Sequence, residues 1–245
     1  MIFQLQGTES TMPFPSPELA TRKPDGLLAV GGDLSKERLL QAYSQGIFPW
    51  YSKGQPILWW CPDPRAVLYP ENIHVSRSLK RKIKKGGFTL KIDRNFPMVM
   101  SSCAMPRKGQ EGTWLLPEMR LAYQNMFNND YAHSIELWKK NSLVGGLYGL
   151  SIGTVFFGES MFSSIPDASK IIMVYLMNLL KKYNFSFMDC QIFNSHLGRM
   201  GAIEIPRSRF LSELAIALKE NPSTDIWNQP NIDCSELVIV EGKND

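Results

Sequence analysis

Between Asp167 and Lys182 the chain reads DASKIIMVYLMNLLKK. The spacing predicts a helix that begins near Asp167, a capping residue behind Pro166, with apolar side chains round most of its circumference. Such a helix must be covered on nearly every side, so it constrains whatever packs around it. The neighbouring segments offer a cover. HSIELWKK from His133 alternates, and LVGGLYGLSIG and TVFFGES follow after short breaks, all reading as strands. SFMDCQ is a strand again, Asn194 to Met200 a short helix, and Ser208 to Lys219 an amphipathic helix with Phe210, Leu211, Leu214 and Leu218 on one side. The order β-β-β-α-β-α predicts an α+β fold, a mixed sheet covered by helices.

The earlier part of the chain has a different texture. FPSP, KPDG, GGDLS, FPW and CPDPR punctuate it with turns, which argues for short elements in a small N-terminal domain over residues 1–64. One helix is legible there: Asp33 or Ser35 caps it, Leu39, Leu40 and Tyr43 form its stripe, and Gly46 stops it. The larger domain is expected over 65–245. Its first helix is capped by Ser76 and runs to Gly86–Gly87. Leu79 and Ile83 face inward, while the basic residues of RSLKRKIKK cover the outside.

Charge sharpens that reading. The chain of 245 residues carries +4, but residues 221–245 hold five acids and one base, so the remainder carries +8. RSLKRKIKK, Arg77 to Lys85, contributes six basic residues and no acid, a cluster suited to a polyanion. Its apolar face is narrow and lacks Trp or Phe, which argues against a membrane surface. The most apolar run, Ile171 to Leu180, is about half the roughly 20 residues a spanning helix needs. The N-terminus MIFQLQGTES has no basic n-region, so no secretory signal is expected. Cys61, Cys103, Cys190 and Cys234 form no CxxC pair, and His74, His133 and His196 show no ligand spacing; reduced thiols, a cytoplasmic location and no metal are expected. The acidic tail after Asn221 has one strand-like run, LVIV.

Two short stretches hold polar groups in apolar company. In VFFGESMFS, Glu159 sits among phenylalanines and a methionine, where an unpartnered charge is costly. In FMDCQ, strand alternation puts Asp189 and Gln191 on one face with Phe187. If the two strands are neighbours, Glu159, Asp189 and Gln191 converge at one end of the sheet, a usual place for ligands. Leu147, Phe156, Met161, Met173 and Leu176 are apolar enough to wall a pocket beside them. No GxGxxG, P-loop, HExxH, nucleophile elbow or Ser/Cys–His spacing occurs, so covalent nucleophilic catalysis is not indicated. Each feature taken singly has a plain alternative: a solvated face for the basic run, core for the Met and Phe residues, a capped strand end for Asp189 and Gln191.

Taken together, the motifs resemble those of the leucyl/phenylalanyl-tRNA–protein transferases. The resemblance runs from PDGLLAVGGDLS through GIFPWY, ILWWCPDPR, CAMPR, EGTW, AHSIELW and LVGGLYGLSIGTVFFGESMFS to ASK, MDCQ, HLGRMGA and IPR. It implies a bacterial cytoplasmic enzyme that moves leucine or phenylalanine from Leu-tRNA or Phe-tRNA to proteins with N-terminal Arg or Lys, marking them for N-degron proteolysis. It also implies a GNAT-like catalytic domain, no cofactor, and the following residue roles. Trp114 of GTW contacts the terminal adenosine; Leu147, Phe156, Met161, Met173 and Leu176 take the amino-acid side chain; Glu159, Asp189 and Gln191 form the catalytic set; Arg77, Arg81, Lys84 and Lys85 bind tRNA. Leu147 stands where some relatives carry methionine, which bears on acceptance of Met beside Leu and Phe.

The chemistry fits these residues. The tRNA ester is already activated, and the nucleophile is an α-amine with an ordinary pKa of about 7.7–8.0, which must be held and relieved of a proton. Asp189 is expected to hold the cationic acceptor residue, and Asp189→Ala to cut transfer greatly with the fold intact. Glu159 is expected to hold an amino group or move a proton. Two rival readings are an acyl-CoA-dependent GNAT-like N-acetyltransferase, for which no Q/R-x-x-G-x-G/A loop precedes the helix near Ala168, and a non-catalytic tRNA-binding protein.

Overall fold

The computed structural model describes residues 2–5, 12–105 and 115–238. Strand β1 (Phe3–Leu5) lies parallel to β2 (Leu27–Gly31). Helix α1 (Lys36–Tyr43) follows, with the Ser35 hydroxyl accepting the Arg38 backbone N–H at 3.2 Å and Leu39, Ala42 and Tyr43 buried. The turn after it depends on Gly46, whose φ is 72° and where a Cβ would lie 2.6 Å from the Phe210 ring. Glycine alone tolerates both the backbone and the approach. Strands β3 (Phe48–Pro49) and β4 (Leu58–Trp60) complete a four-stranded sheet in the order β1-β2-β4-β3.

The next strand, β5 (Arg65–Leu68), already belongs to a second and larger sheet. Helix α2 (Arg77–Lys85), β6 (Thr89–Ile92), α3 (Phe96–Cys103) and α4 (Pro117–Asn128) lead to three long strands, β7 (Ala132–Lys139), β8 (Ser142–Ile152) and β9 (Val155–Ser163). Helix α5 (Ala168–Lys182) then crosses to β10 (Phe187–Gln191), followed by α6 (Ser195–Arg199), β11 (Ile203–Ile205), α7 (Arg207–Ala217) and β12 (Ile232–Asp233). The strand order is β11-β5-β10-β9-β8-β7-β6-β12. Among the described residues, β9–β10 is the one parallel pair in this sheet. The α+β fold and the β-β-β-α-β-α order are therefore as the sequence predicts.

The two faces of the large sheet carry separate cores, because successive strand residues point to opposite sides. Phe156, Leu147 and Met188 face α5 and α2, whose buried residues include Met173, Leu176, Leu79 and Ile83. Phe157, Tyr148 and Phe187 face α1, α3, α4 and α7, together with the small sheet. Helix α5 is buried over ten of its positions, in keeping with its all-round apolar sequence.

Four expectations need correction or completion. Asp167 occupies the N-cap position of α5 with φ 67° but makes no capping bond; its carboxylate binds Lys82 Nζ at 3.1 Å and Lys170 Nζ at 2.9 Å. Leu237 and Val238 lie outside any strand, and Ile239–Val240 fall outside the described residues. The tail instead pairs through β12 with β6, and Trp227 stacks on His133 at 4.1 Å. Strands β5, β6, β11 and β12 span only two to four residues each, too short for a readable period, and α3 and α4 went unpredicted. The four cysteines are buried free thiols.

Candidate active site

The site lies where the parallel pair comes apart. Strands β9 and β10 are in register at Val155–Phe157 and Phe187–Asp189, and pairing ends there although β9 continues to Ser163. On the other side of β9, Gly158 pairs with Gly149 and Ser160 with Tyr148, so Glu159 is the extra residue of a β-bulge. A bulge re-aims side chains. Here Glu159 turns toward α1 and α4, while Met161, two residues on, pairs with Leu147 and packs with the core beneath α5. Gly158 leaves room for the end of Met188, whose Cε would lie 2.3 Å from an added Cβ and would have to move aside.

Glu159 is only partly exposed, and its carboxylate is surrounded by neutral groups. The Tyr43 hydroxyl lies 2.7 Å from Oε1 and the Tyr123 hydroxyl 2.6 Å from Oε2. The two hydroxyls are 2.6 Å apart, and Gln191 Nε2 donates to Oε1 at 2.8 Å. Burial pushes the carboxyl from 4.5 up to about 7, against the hydroxyls of Tyr123 and Tyr43, with the charge of Asp189 adding to the rise and Gln191 opposing it. Tyr148 lies beside this group with a buried hydroxyl that has no hydrogen-bond partner among the described residues.

Asp189 is handled differently. It is fully buried, and Arg65 grips it in a fork, Nε to Oδ1 at 2.8 Å and Nη2 to Oδ2 at 2.7 Å. The guanidinium itself lies between the Phe48 and Phe210 rings, 4.9 and 4.5 Å from their centroids. Asp189 Oδ1 also accepts the Gln191 backbone N–H at 2.9 Å, which fixes Gln191 with φ 61° and aims its amide at Glu159. The expected contact between Asp189 and a cationic acceptor residue has no exposed surface to use: Asp189 is fully enclosed, and its carboxylate holds the Arg65 guanidinium and the Gln191 backbone.

A cavity of about 860 Å³ opens between the parted strands, a size suited to a small ligand. Leu147, Met161 and Met173 line it, joined by Met188 and Leu197, with Glu159 and Gln191 also in its wall. Phe156 and Leu176 do not reach it; both are fully buried in the core behind. Met188 and Cys190 were missed, although the alternation that grouped Asp189 with Gln191 puts them on the opposite face. Burial, then the Asp189 charge, pushes the Cys190 thiol up, which leaves it no nucleophile. His196 also lines the cavity, and burial, then Lys170 and Arg199, holds its ring below 6.5.

The basic helix borders the loop that closes this cavity. Lys82 Nζ bonds to the Pro166 carbonyl at 2.5 Å and to Asp167, so α2 is tied to the β9–α5 connection. Arg77, Arg81, Lys84 and Lys85 are all exposed on its outer face. The acid missing from the local sequence is supplied in space, by Asp167, for Lys82. Trp114 lies outside the described residues. Among the described residues no three metal-ligating side chains come together.

A cavity walled by apolar side chains on one part and polar ones on another, with no Lys or Arg among its described lining and no activated nucleophile, suits direct transfer between two bound substrates. Comparison with known proteins gives that class a family. The model for the leucyl/phenylalanyl-tRNA protein transferase matches residues 67–215, and that for the N-terminal domain of the same family matches 32–63. The chain is 53% identical to the leucyl/phenylalanyl-tRNA–protein transferase of Alkalilimnicola ehrlichii, over 84% of this chain and 80% of that one. Identity is 51% with that of Azotobacter vinelandii (89% and 96% covered) and 52% with that of Nitrosomonas eutropha (87% and 91%). The chain belongs to the leucyl/phenylalanyl-tRNA–protein transferase family, and is an aminoacyltransferase.

Proposed function

We propose that this protein carries leucine or phenylalanine from Leu-tRNA or Phe-tRNA to the α-amine of proteins that begin with Arg or Lys, in the cytoplasm, and so marks them for N-degron proteolysis. The observation that carries the reading is the cavity itself: Leu147, Met161, Met173 and Met188 make a side-chain pocket with Glu159 and Gln191 at its polar edge. An aminoacyl ester with its side chain in that pocket would present its carbonyl near Gln191. The ester needs no activation, so holding the amine against it supplies much of the rate. The exposed face of α2, tied to the rim through Lys82, suits contact with tRNA phosphates, which would be independent of tRNA sequence and sensitive to salt.

The proposed division into domains 1–64 and 65–245 makes the site a joint product, since Tyr43 comes from the first part and Tyr123, Glu159 and Gln191 from the second. Among the described residues no helix is long and apolar enough to cross a membrane. The deciding experiment is incubation with labelled Leu-tRNA and a peptide beginning with Arg. Label in the peptide supports the reading, and label from acetyl-CoA instead, or tRNA binding without transfer, would replace it.

A further inference from the structure

Tyr43, Tyr123 and Glu159 are joined by three short oxygen–oxygen contacts: 2.7 Å from Tyr43 to Oε1, 2.6 Å from Tyr123 to Oε2, and 2.6 Å between the hydroxyls. Two oxygens sit that close only with a proton between them. Each phenol brings one proton. Both keep it, because burial, the largest cause, raises them well above 10.0 whatever the charge on Glu159. Two protons do not fill three contacts. If both phenols donate to a carboxylate, the contact between the hydroxyls is bare; if one donates to the other, a tyrosine oxygen faces a carboxylate oxygen with nothing between.

A third proton closes the ring. With it on Glu159 Oε2, that group donates to Tyr123, Tyr123 donates to Tyr43, and Tyr43 donates to Oε1, which still accepts from Gln191 Nε2. A hydroxyl that donates to the carboxylate lowers it, but the contact between the two hydroxyls uses the proton of one of them, and burial, the larger cause, favours the neutral form. Among the described residues, the groups that bear on Glu159 from α1 and α4 are the two phenols; β8 brings Tyr148 beside them, and α3 brings Cys103 beside Tyr148. Strand β10 presents Gln191 and Asp189, the latter matched by Arg65 of β5. Among the described residues no cation contacts the Glu159 carboxyl.

We propose that Tyr43 and Tyr123 are positioning residues that hold Glu159 as a neutral carboxylic acid in the substrate-free protein, so that it enters the reaction as a proton donor and not as an anionic anchor. The reaction role rests on the transfer reading above; the ring does not. In the transfer the acceptor nitrogen bonds to the ester carbon and the carbon–oxygen bond to the ribose breaks. The Glu159 proton passes to the ribose oxygen, and the proton released by the nitrogen returns to Glu159. The ring ends with the three protons it began with.

The test is an infrared difference spectrum of the substrate-free protein against Glu159→Gln, whose amide keeps the shape and offers a donor in place of the acid proton. At pH about 6 the wild type shows a protonated-carboxyl band that fades as the pH rises through about 7. No such band at that pH overturns the ring. In Tyr123→Phe the bare contact that opposes ionisation is gone, so the band fades at lower pH. Fading at an unchanged or higher pH, as expected if the hydroxyl simply donated to a carboxylate, also overturns it. Transfer from labelled Leu-tRNA is measured separately. A band without transfer overturns the reaction role with the reading beneath it, whereas transfer without a band overturns the ring alone.

Discussion

Glu159 and Asp189 are two acids at the same end of one sheet, on neighbouring strands, and the protein keeps them from water by opposite means. Asp189 is fully enclosed and meets a full countercharge, Arg65, in a two-point grip between two phenyl rings. Glu159 keeps part of its surface at the cavity and meets only hydroxyls and an amide. An ion pair fixes charge and geometry together, so Asp189 serves as a foundation. A carboxyl among neutral donors can change its protonation at moderate pH, so Glu159 is the group with a proton to exchange. Gln191 joins the two, its backbone held by one acid and its side chain by the other.

The sharpest way to break this contrast is to remove one partner of the ion pair. Asp189→Asn or Arg65→Met leaves an uncompensated buried charge or donor fork, with an expected loss of about 3–5 kcal/mol in denaturant unfolding. This replaces the sequence-based expectation that Asp189→Ala leaves the fold intact. The double variant Arg65→Met/Asp189→Leu should recover most of the stability. If it recovers transfer as well, Asp189 does not position Gln191.

Next in size are changes to the pocket. Leu147→Phe or Met161→Phe should alter the ratio of kcat/KM for Leu-tRNA and Phe-tRNA by about 10-fold or more, in line with 1–3 kcal/mol for such a volume change. An unchanged ratio places the amino-acid side chain elsewhere.

For Glu159→Gln the expected stability change at pH about 6 is within about 1 kcal/mol, well below that of Asp189. Its pH dependence has a definite sign. The folded-state value is raised from 4.5 to about 7, so the stabilisation from the bound proton is complete below 4.5 and lost as pH rises through about 7. The Tm of the wild type relative to Glu159→Gln should therefore fall across that window. A rise would mean that Glu159 is folded as a carboxylate, like Asp189.

The smallest expected effect on the fold comes from Arg81→Glu and Lys84→Glu, within about 0.5 kcal/mol because both are exposed. Their KM for aminoacyl-tRNA should rise a few-fold, and each lost phosphate contact should reduce the slope of log affinity against log salt by about 1. Unchanged KM and slope would make the outer face of α2 a solvated surface.

Local patterns carried much of the architecture. The apolar circumference of α5 and the Ser35 and Ser76 caps are each written within a few residues of where they act, and each appears as expected; β7 forms as a strand, but its residues from Ala132 to Leu137 are buried on both faces. Glu159, Asp189 and Gln191 were recognisable as polar groups in apolar strands, and they do meet. Phe156 and Leu176 were not separable from the true lining, because periodicity tells which residues are inside but not where a cavity opens. That opening depends on the parting of β9 from β10 and on the bulge at Glu159, neither of which has a local spacing to read.

By itself, then, the sequence determined which elements form, which faces are apolar and which acids lie in strands, since those follow from neighbours along the chain. Only the tertiary structure decided what the two acids are. The partners that set their charge come from far away: Arg65 is 124 residues from Asp189, while Tyr43 and Tyr123 are 116 and 36 residues from Glu159. A carboxyl's protonation is fixed by the groups within a few ångströms of it, and folding alone brings those groups together.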